Sequence, residues 1–114
     1  MSKVKIYVSR DPQTNEIHLR DSEGHSGDGG IVTDVRAGDE IEWIAGEGID
    51  KIKGIRPAEG NRNVLSGCAE KQDGAWEGKV SDSAEGSETY VIEYEVGDST
   101  ARADRPRLIV KPPR

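Results

Sequence analysis

The chain has 114 residues, 33% of them charged, and a net charge of −6; that is one domain's worth of sequence and leaves no room for separate catalytic and regulatory units. The acidic balance, with Lys and Arg scattered, excludes the clustered cations that a nucleic-acid backbone demands, and no run approaches the ~20 apolar residues of a membrane-spanning helix. Leu, Ile and Val number 3, 10 and 9, Phe is absent and Gly reaches 14, a balance that favours pleated strands and tight turns.

Residues 3–8 alternate, with Val4, Ile6 and Val8 on one face and Lys3, Lys5 and Tyr7 on the other, the period of a half-buried strand. Asp11, Pro12 and Asn15 mark a turn. Residues 16–20 form a second short strand, with Ile17 and Leu19 on one face and His18 on the other. Residues 21–30, DSEGHSGDGG, carry four glycines and no apolar side chain, and read as an exposed loop. An extended segment over residues 30–35 leads into Arg36-Ala37-Gly38-Asp39, a tight turn in which Gly38 supplies positive φ. Residues 40–44 place Ile41 and Trp43 inward and Glu40 and Glu42 outward.

In residues 49–56, Ile49, Ile52 and Ile55 fall three apart, a helical spacing. Gly48, Gly54 and Pro57 interrupt it, which predicts a strand with a bulge near Gly54. Residues 58–74 are where one short helix is expected. Residues 75–80 form a strand carrying Trp76. Residues 89–96 give the strongest strand signal, with Tyr90, Ile92, Tyr94 and Val96 inward and Glu93 and Glu95 outward. Gly97-Asp98-Ser99 turns the chain, and residues 107–111 form a last strand that Pro112 and Pro113 end, since proline cannot donate to the ladder.

These seven or eight short strands predict one all-β domain over residues 1–114, an antiparallel sandwich or barrel. Its interior would hold Trp43, Trp76, Tyr90 and Tyr94 among the Ile and Val side chains. Two stretches strengthen the expectation. Val35-Arg36-Ala37-Gly38-Asp39-Glu40-Ile41-Glu42-Trp43 resembles the V-x-x-G-D-x-I/V-x-W strand-turn-strand of cupredoxin-like domains. Residues 76–80, 90–94 and 104–112 (the last DRPRLIVKP) resemble the closing strands of copper-free members of that fold. These stretches total 28 of the 114 residues, and the pattern of strands and turns they belong to runs over roughly half of the chain. The resemblance implies a Greek-key β-sandwich; immunoglobulin-like sandwiches share much of the pattern, often with a core Cys pair that is absent here.

Type 1 copper needs a Cys thiolate, two imidazoles and usually a Met thioether. In cupredoxins the Cys, the second His and the Met sit between the last two strands. Here that segment, residues 97–106, reads GDSTARADRP and has none of them. Cys68 lies too early, His18 and His25 lie near the start, and the only Met is Met1. No cofactor is therefore expected. His18 reads as an outward strand residue and His25 as a solvated loop residue, neither with a second ligand at metal spacing. The acids of residues 21–28 offer calcium oxygens without the ordered alternation of an EF-hand. No G-x-S-x-G elbow is present, and Glu40, Glu42, Glu93 and Glu95 read as solvated outer faces rather than paired catalytic carboxylates. Lone Cys68 reads as an inert thiol. Arg102, Arg105, Arg107, Lys111 and Arg114 read as edge protection or solubilising charge.

The sequence thus assigns no catalytic, cofactor-binding or metal-ligating residue. It leads to an expectation of a non-enzymatic, cytoplasmic protein-interaction or accessory module, with a small-ligand or carbohydrate-binding module as the alternative. Tyr7 and Trp76 are the candidate aromatics for sugar stacking. The expected partner is another protein, with self-association through an edge strand, and neither nucleic acid nor membrane. Candidate contact surfaces are residues 22–30, residues 58–74 and an unpaired sheet edge.

Overall fold

Alternating β-branched residues become strand wherever one face can be hidden. A computed structural model describes residues 3–14, 16–22, 24–27, 31–58, 64–72, 74–103 and 106–111. Among them lie β1 (Lys3–Arg10), β2 (Ile17–Asp21), β3 (Ser26–Gly27), β4 (Val32–Val35), β5 (Glu40–Ala45), β6 (Lys51–Pro57), β7 (Leu65–Glu70), β8 (Trp76–Val80), β9 (Ser87–Val96), β10 (Ser99–Ala103) and β11 (Arg107–Val110). No helix occurs among the described residues. The short helix expected over residues 58–74 is replaced in its described part by β7, while residues 59–63 and 73 lie outside the described residues.

One sheet runs β3-β2-β1-β5-β8-β7; the other runs β10-β9-β11-β4, with β6 also paired to β9. Both are mixed. β1 and β5 run parallel, with Val4 opposite Ile41 and Ile6 opposite Trp43, and β11 runs parallel to β4. The expectation of an antiparallel fold with seven or eight strands is corrected on both counts. A strand's alternation fixes its buried face but carries no information about the direction of a neighbour far along the chain. The strands the expectation lacks are β3, β7 and β10, which are short or rich in Ser, Gly, Thr and Ala.

The two sheets share one apolar interior. Val4, Ile6, Val8, Leu19, Ile41, Trp43 and Val80 enter it from the first sheet, and Val35, Ile52, Ile55, Tyr90, Ile92 and Leu108 from the second. Trp43 and Tyr90, both fully buried, meet edge-on between the sheets with ring centroids 5.5 Å apart, the geometry that ring quadrupoles favour. Half-buried Trp76 on β8 donates its Nε1–H to the Ile52 carbonyl of β6 at 2.8 Å, a polar tie between the sheets. Behind Trp43 the backbone of β8 comes so near that a Cβ on Gly78 would lie 3.0 Å from both the Trp43 ring and Cys68 Sγ.

Two local expectations match. Gly38 has φ 86 and Asp39 N–H donates to the Arg36 carbonyl at 3.0 Å, closing the turn before β5. The register of β6 on β9 shifts between Ile52 and Gly54, which is the bulge expected there. Residues 112–113 lie outside the described residues.

Candidate functional site

Three places carry features beyond packing. The first is the β9–β10 hairpin. Gly97 and Asp98 form a two-residue turn between the paired residues Val96 and Ser99, with Gly97 at φ 59. Asp50 Oδ2 accepts the Gly97 N–H at 2.6 Å and pins the turn to the approach of β6. The segment expected as a loop over residues 97–106 is therefore strand over Ser99–Ala103, because the tight turn brings Ala101 opposite Tyr94 and Arg102 opposite Glu93. Ser99, Thr100, Ala101 and Arg102 are exposed; Ala103 is buried. Tyr94 itself is only 6% exposed, so along the hairpin the interior takes in Ala103 at the end of β10 but not Ser99–Arg102.

The second is a buried polar cluster. Asp21 ends β2 on the same face as Leu19, and its side chain is 0% exposed. Its Oδ2 accepts the Thr33 hydroxyl at 2.8 Å, its Oδ1 accepts the His25 backbone N–H at 2.9 Å, and His25 Nδ1 lies 2.9 Å from Oδ2. Asp21 N–H in turn donates to the His25 carbonyl at 2.9 Å. Thr33 sits on β4, so the carboxylate joins the two sheets. This corrects the reading of residues 21–30 as an exposed loop at its first residue; the His25 side chain stays 41% exposed and has the Asp21 carboxylate beside it. Ser26 and Gly27 also pair with β2; residues 23 and 28–30 lie outside the described residues. Chemically the carboxylate orients an imidazole, yet the hydroxyl of the cluster bonds the carboxylate. The hydroxyl-to-imidazole contact of a nucleophilic triad is not what these residues form.

Tyr90 adjoins this cluster. Burial pushes its hydroxyl pKa well above the usual range, and the Asp21 charge adds to the rise. The Trp43 indole N–H faces it and offsets part of the rise, but neither Tyr90 Oη nor Trp43 Nε1 reaches hydrogen-bond geometry with any described group. In the unfolded chain Tyr90 ionises near pH 10. Above that pH the unfolded state holds fewer protons than the folded state, so stability present at lower pH is lost as the pH rises. Tyr90→Phe, which keeps the ring contact, is expected to leave stability at pH 7 unchanged or slightly higher. It should also flatten the decline in Tm between about pH 9 and pH 11 relative to the parent chain. Thermal melts of the two proteins across that range check it.

The third is a groove of about 550 Å³ lined by Lys5, Glu42, Ile44, Ile49, Asp50 and Lys51 among others. Glu42, read from the sequence as solvated, is 7% exposed. Lys71, from the β7–β8 turn, closes over it at 2.7 Å, with Lys3 3.8 Å away. Glu93 and Glu95 lie on the partly exposed face as expected and pair with Arg56 and Lys53.

The remaining candidates are dispersed. His18 is exposed on β2. Tyr7 lies beneath the Arg20 guanidinium, 5.0 Å from its ring centroid. Cys68 is partly buried on β7. Arg102, Arg107 and Lys111 are exposed, while residues 105 and 114 lie outside the described residues. No three His, Cys, Asp or Glu side chains converge on a metal-sized space among the described residues. No helix among them is long and apolar enough to cross a membrane. No protein-family model matches the chain, and no curated protein matches it.

Sequence reasoning missed Asp21 and Glu88. Both were legible from parity: Asp21 follows Ile17 and Leu19 at period two, and Glu88 precedes Tyr90 and Ile92 in the same way. Glu88 is 4% exposed, and its Oε1 accepts the backbone N–H groups of Val64 at 2.9 Å and Leu65 at 3.3 Å.

Proposed function

We propose that the chain is a copper-free, cupredoxin-like Greek-key β-sandwich, cytoplasmic and non-catalytic, that acts by contact with another protein. The observation that carries this reading is β10, a strand paired among the described residues only to β9, whose residues Ser99–Arg102 are exposed. Such an edge offers unpaired N–H and C=O groups to an incoming strand. The Asp21 cluster supports a structural rather than catalytic use of the His25 imidazole, because the hydroxyl and backbone partners of the carboxylate tie the two sheets together.

The test is site-specific crosslinking in cells. A photoreactive benzoylphenylalanine at position 100 is expected to give discrete protein adducts, and the same residue at exposed position 18 is not. Absence of any adduct at position 100 would overturn the reading.

A small-ligand role has one observation in its favour, the groove beside Lys5 and Lys51. Sugar stacking has less support. Trp43 and Tyr90 are buried, Trp76 is half-buried with its N–H committed to Ile52, and Arg20 covers the Tyr7 ring.

A further inference from the structure

We infer that β10 pairs with β10 of a second copy, antiparallel about a two-fold axis at Ala101, to make one sheet continuous across a dimer; this rests on the protein-contact reading and names its partner. The backbone geometry comes first. In a two-residue hairpin the flanking pair, here Val96 and Ser99, is hydrogen-bonded. Alternation then turns the N–H and C=O groups of Ala101 and Ala103 toward β9 and those of Thr100 and Arg102 toward the open side. Neither Thr100 nor Arg102 makes a backbone hydrogen bond beyond that ladder among the described residues.

The other sheet margins are guarded. β3 has two residues and β4 has four. β7 opens on a register shift. β6 carries a bulge, Lys51, Lys53, Arg56 and a terminal Pro57, all devices that discourage edge pairing. β10 has neither bulge nor proline, and its one charged residue, Arg102, has Glu93 as its register partner.

The side chains fit self-pairing. With the axis at Ala101, Thr100 stands opposite Arg102 of the second copy, and the two exchange both backbone bonds. On that face Arg102 lies between Glu93 of its own chain and Thr100 of the other, beyond which is the other copy's Glu95, the register partner of its Thr100. No like charges stand opposite each other. On the opposite face Ala101 meets Ala101, small enough for close approach, with Tyr94 flanking each.

Sedimentation equilibrium of the full chain from about 10 μM to about 1 mM tests this, the range in which a small interface assembles. The apparent mass is expected to rise toward twice the monomer's. Thr100→Pro, whose lost N–H faces outward and spares the β9 ladder, should weaken dimerisation at least about tenfold, since symmetry removes a bond from both pairings at once. As a second measurement, Ala101→Cys should form a disulfide-linked dimer under mild oxidation, because directly opposed, non-hydrogen-bonded positions hold Cα atoms about 4.5 Å apart. Ser99→Cys, opposite Ala103, should not; Cys68 is common to both variants. A monomer at every concentration would overturn self-pairing and leave position-100 crosslinking to judge the wider reading. A dimer unaffected by Thr100→Pro, or equal crosslinking of the two cysteine variants, would overturn it as well, since another face would then be in use.

Discussion

Trp43→Ala is expected to lose about 3–5 kcal/mol of stability, the largest effect of any single truncation in the chain. Trp43 is 0% exposed at the centre of β5, and its ring meets Tyr90 edge-on from the opposite sheet. Removing it opens a space between sheets that cannot collapse readily. β1 and β8 hold the backbone of β5 on both sides, and Gly78 already brings β8 as near as a missing Cβ allows. For a domain of this size total stability is about 5–15 kcal/mol, so much of the fold's margin disappears. Trp43→Phe should lose far less, because it keeps a ring against Tyr90 and removes an indole N–H that has no hydrogen-bond acceptor among the described groups. Urea unfolding gives the energies. A Trp43→Ala protein within about 1 kcal/mol of the parent would contradict the shared interior.

Asp21→Ala is expected to cost about 2–3 kcal/mol. The substitution leaves the fully buried Thr33 hydroxyl without its acceptor and releases both His25 contacts. Most of the loss comes from the Thr33 side and the backbone N–H, because the His25 side chain is 41% exposed and water can replace its bond. Thr33→Val, similar in shape, should cost only about 1 kcal/mol because Asp21 keeps its His25 partners. Hydrogen exchange gives an independent measure. The His25 amide should exchange much faster in Asp21→Ala and nearly as in the parent in Thr33→Val. Equal destabilisation by the two substitutions would assign the effect to Thr33 alone.

Much of the interior was legible in the sequence, because period two needs only near neighbours. Val4, Ile6, Val8, Ile41, Trp43, Tyr90, Ile92 and Tyr94 are all buried as alternation requires. What alternation could not show was anything settled by distant chain segments. Glu42 sits at an outward position yet is covered, because Lys71 reaches it from a turn far along the sequence. The parallel pairings of β1 with β5 and β4 with β11 leave no local trace. The polar cluster and β10 are intermediate cases. Period two extended to Asp21 would have turned its carboxylate inward, and the Gly97-Asp98 pair after a strong strand is a hairpin signal. Both were obscured by polar composition, which reads as loop unless parity is followed to the end of each strand.

The parallel union of β4 with β11 also governs how the fold is reached. Val32 has to wait for Arg107, its register partner, so nearly the whole chain must be available before that sheet can close. Loop-closure entropy is then spent before the pairing returns any of it, which predicts slow, all-or-none folding on the scale of milliseconds to seconds. A chain cut after β9 would leave β4 without β11, its neighbour among the described strands, and its apolar side chains open to aggregation.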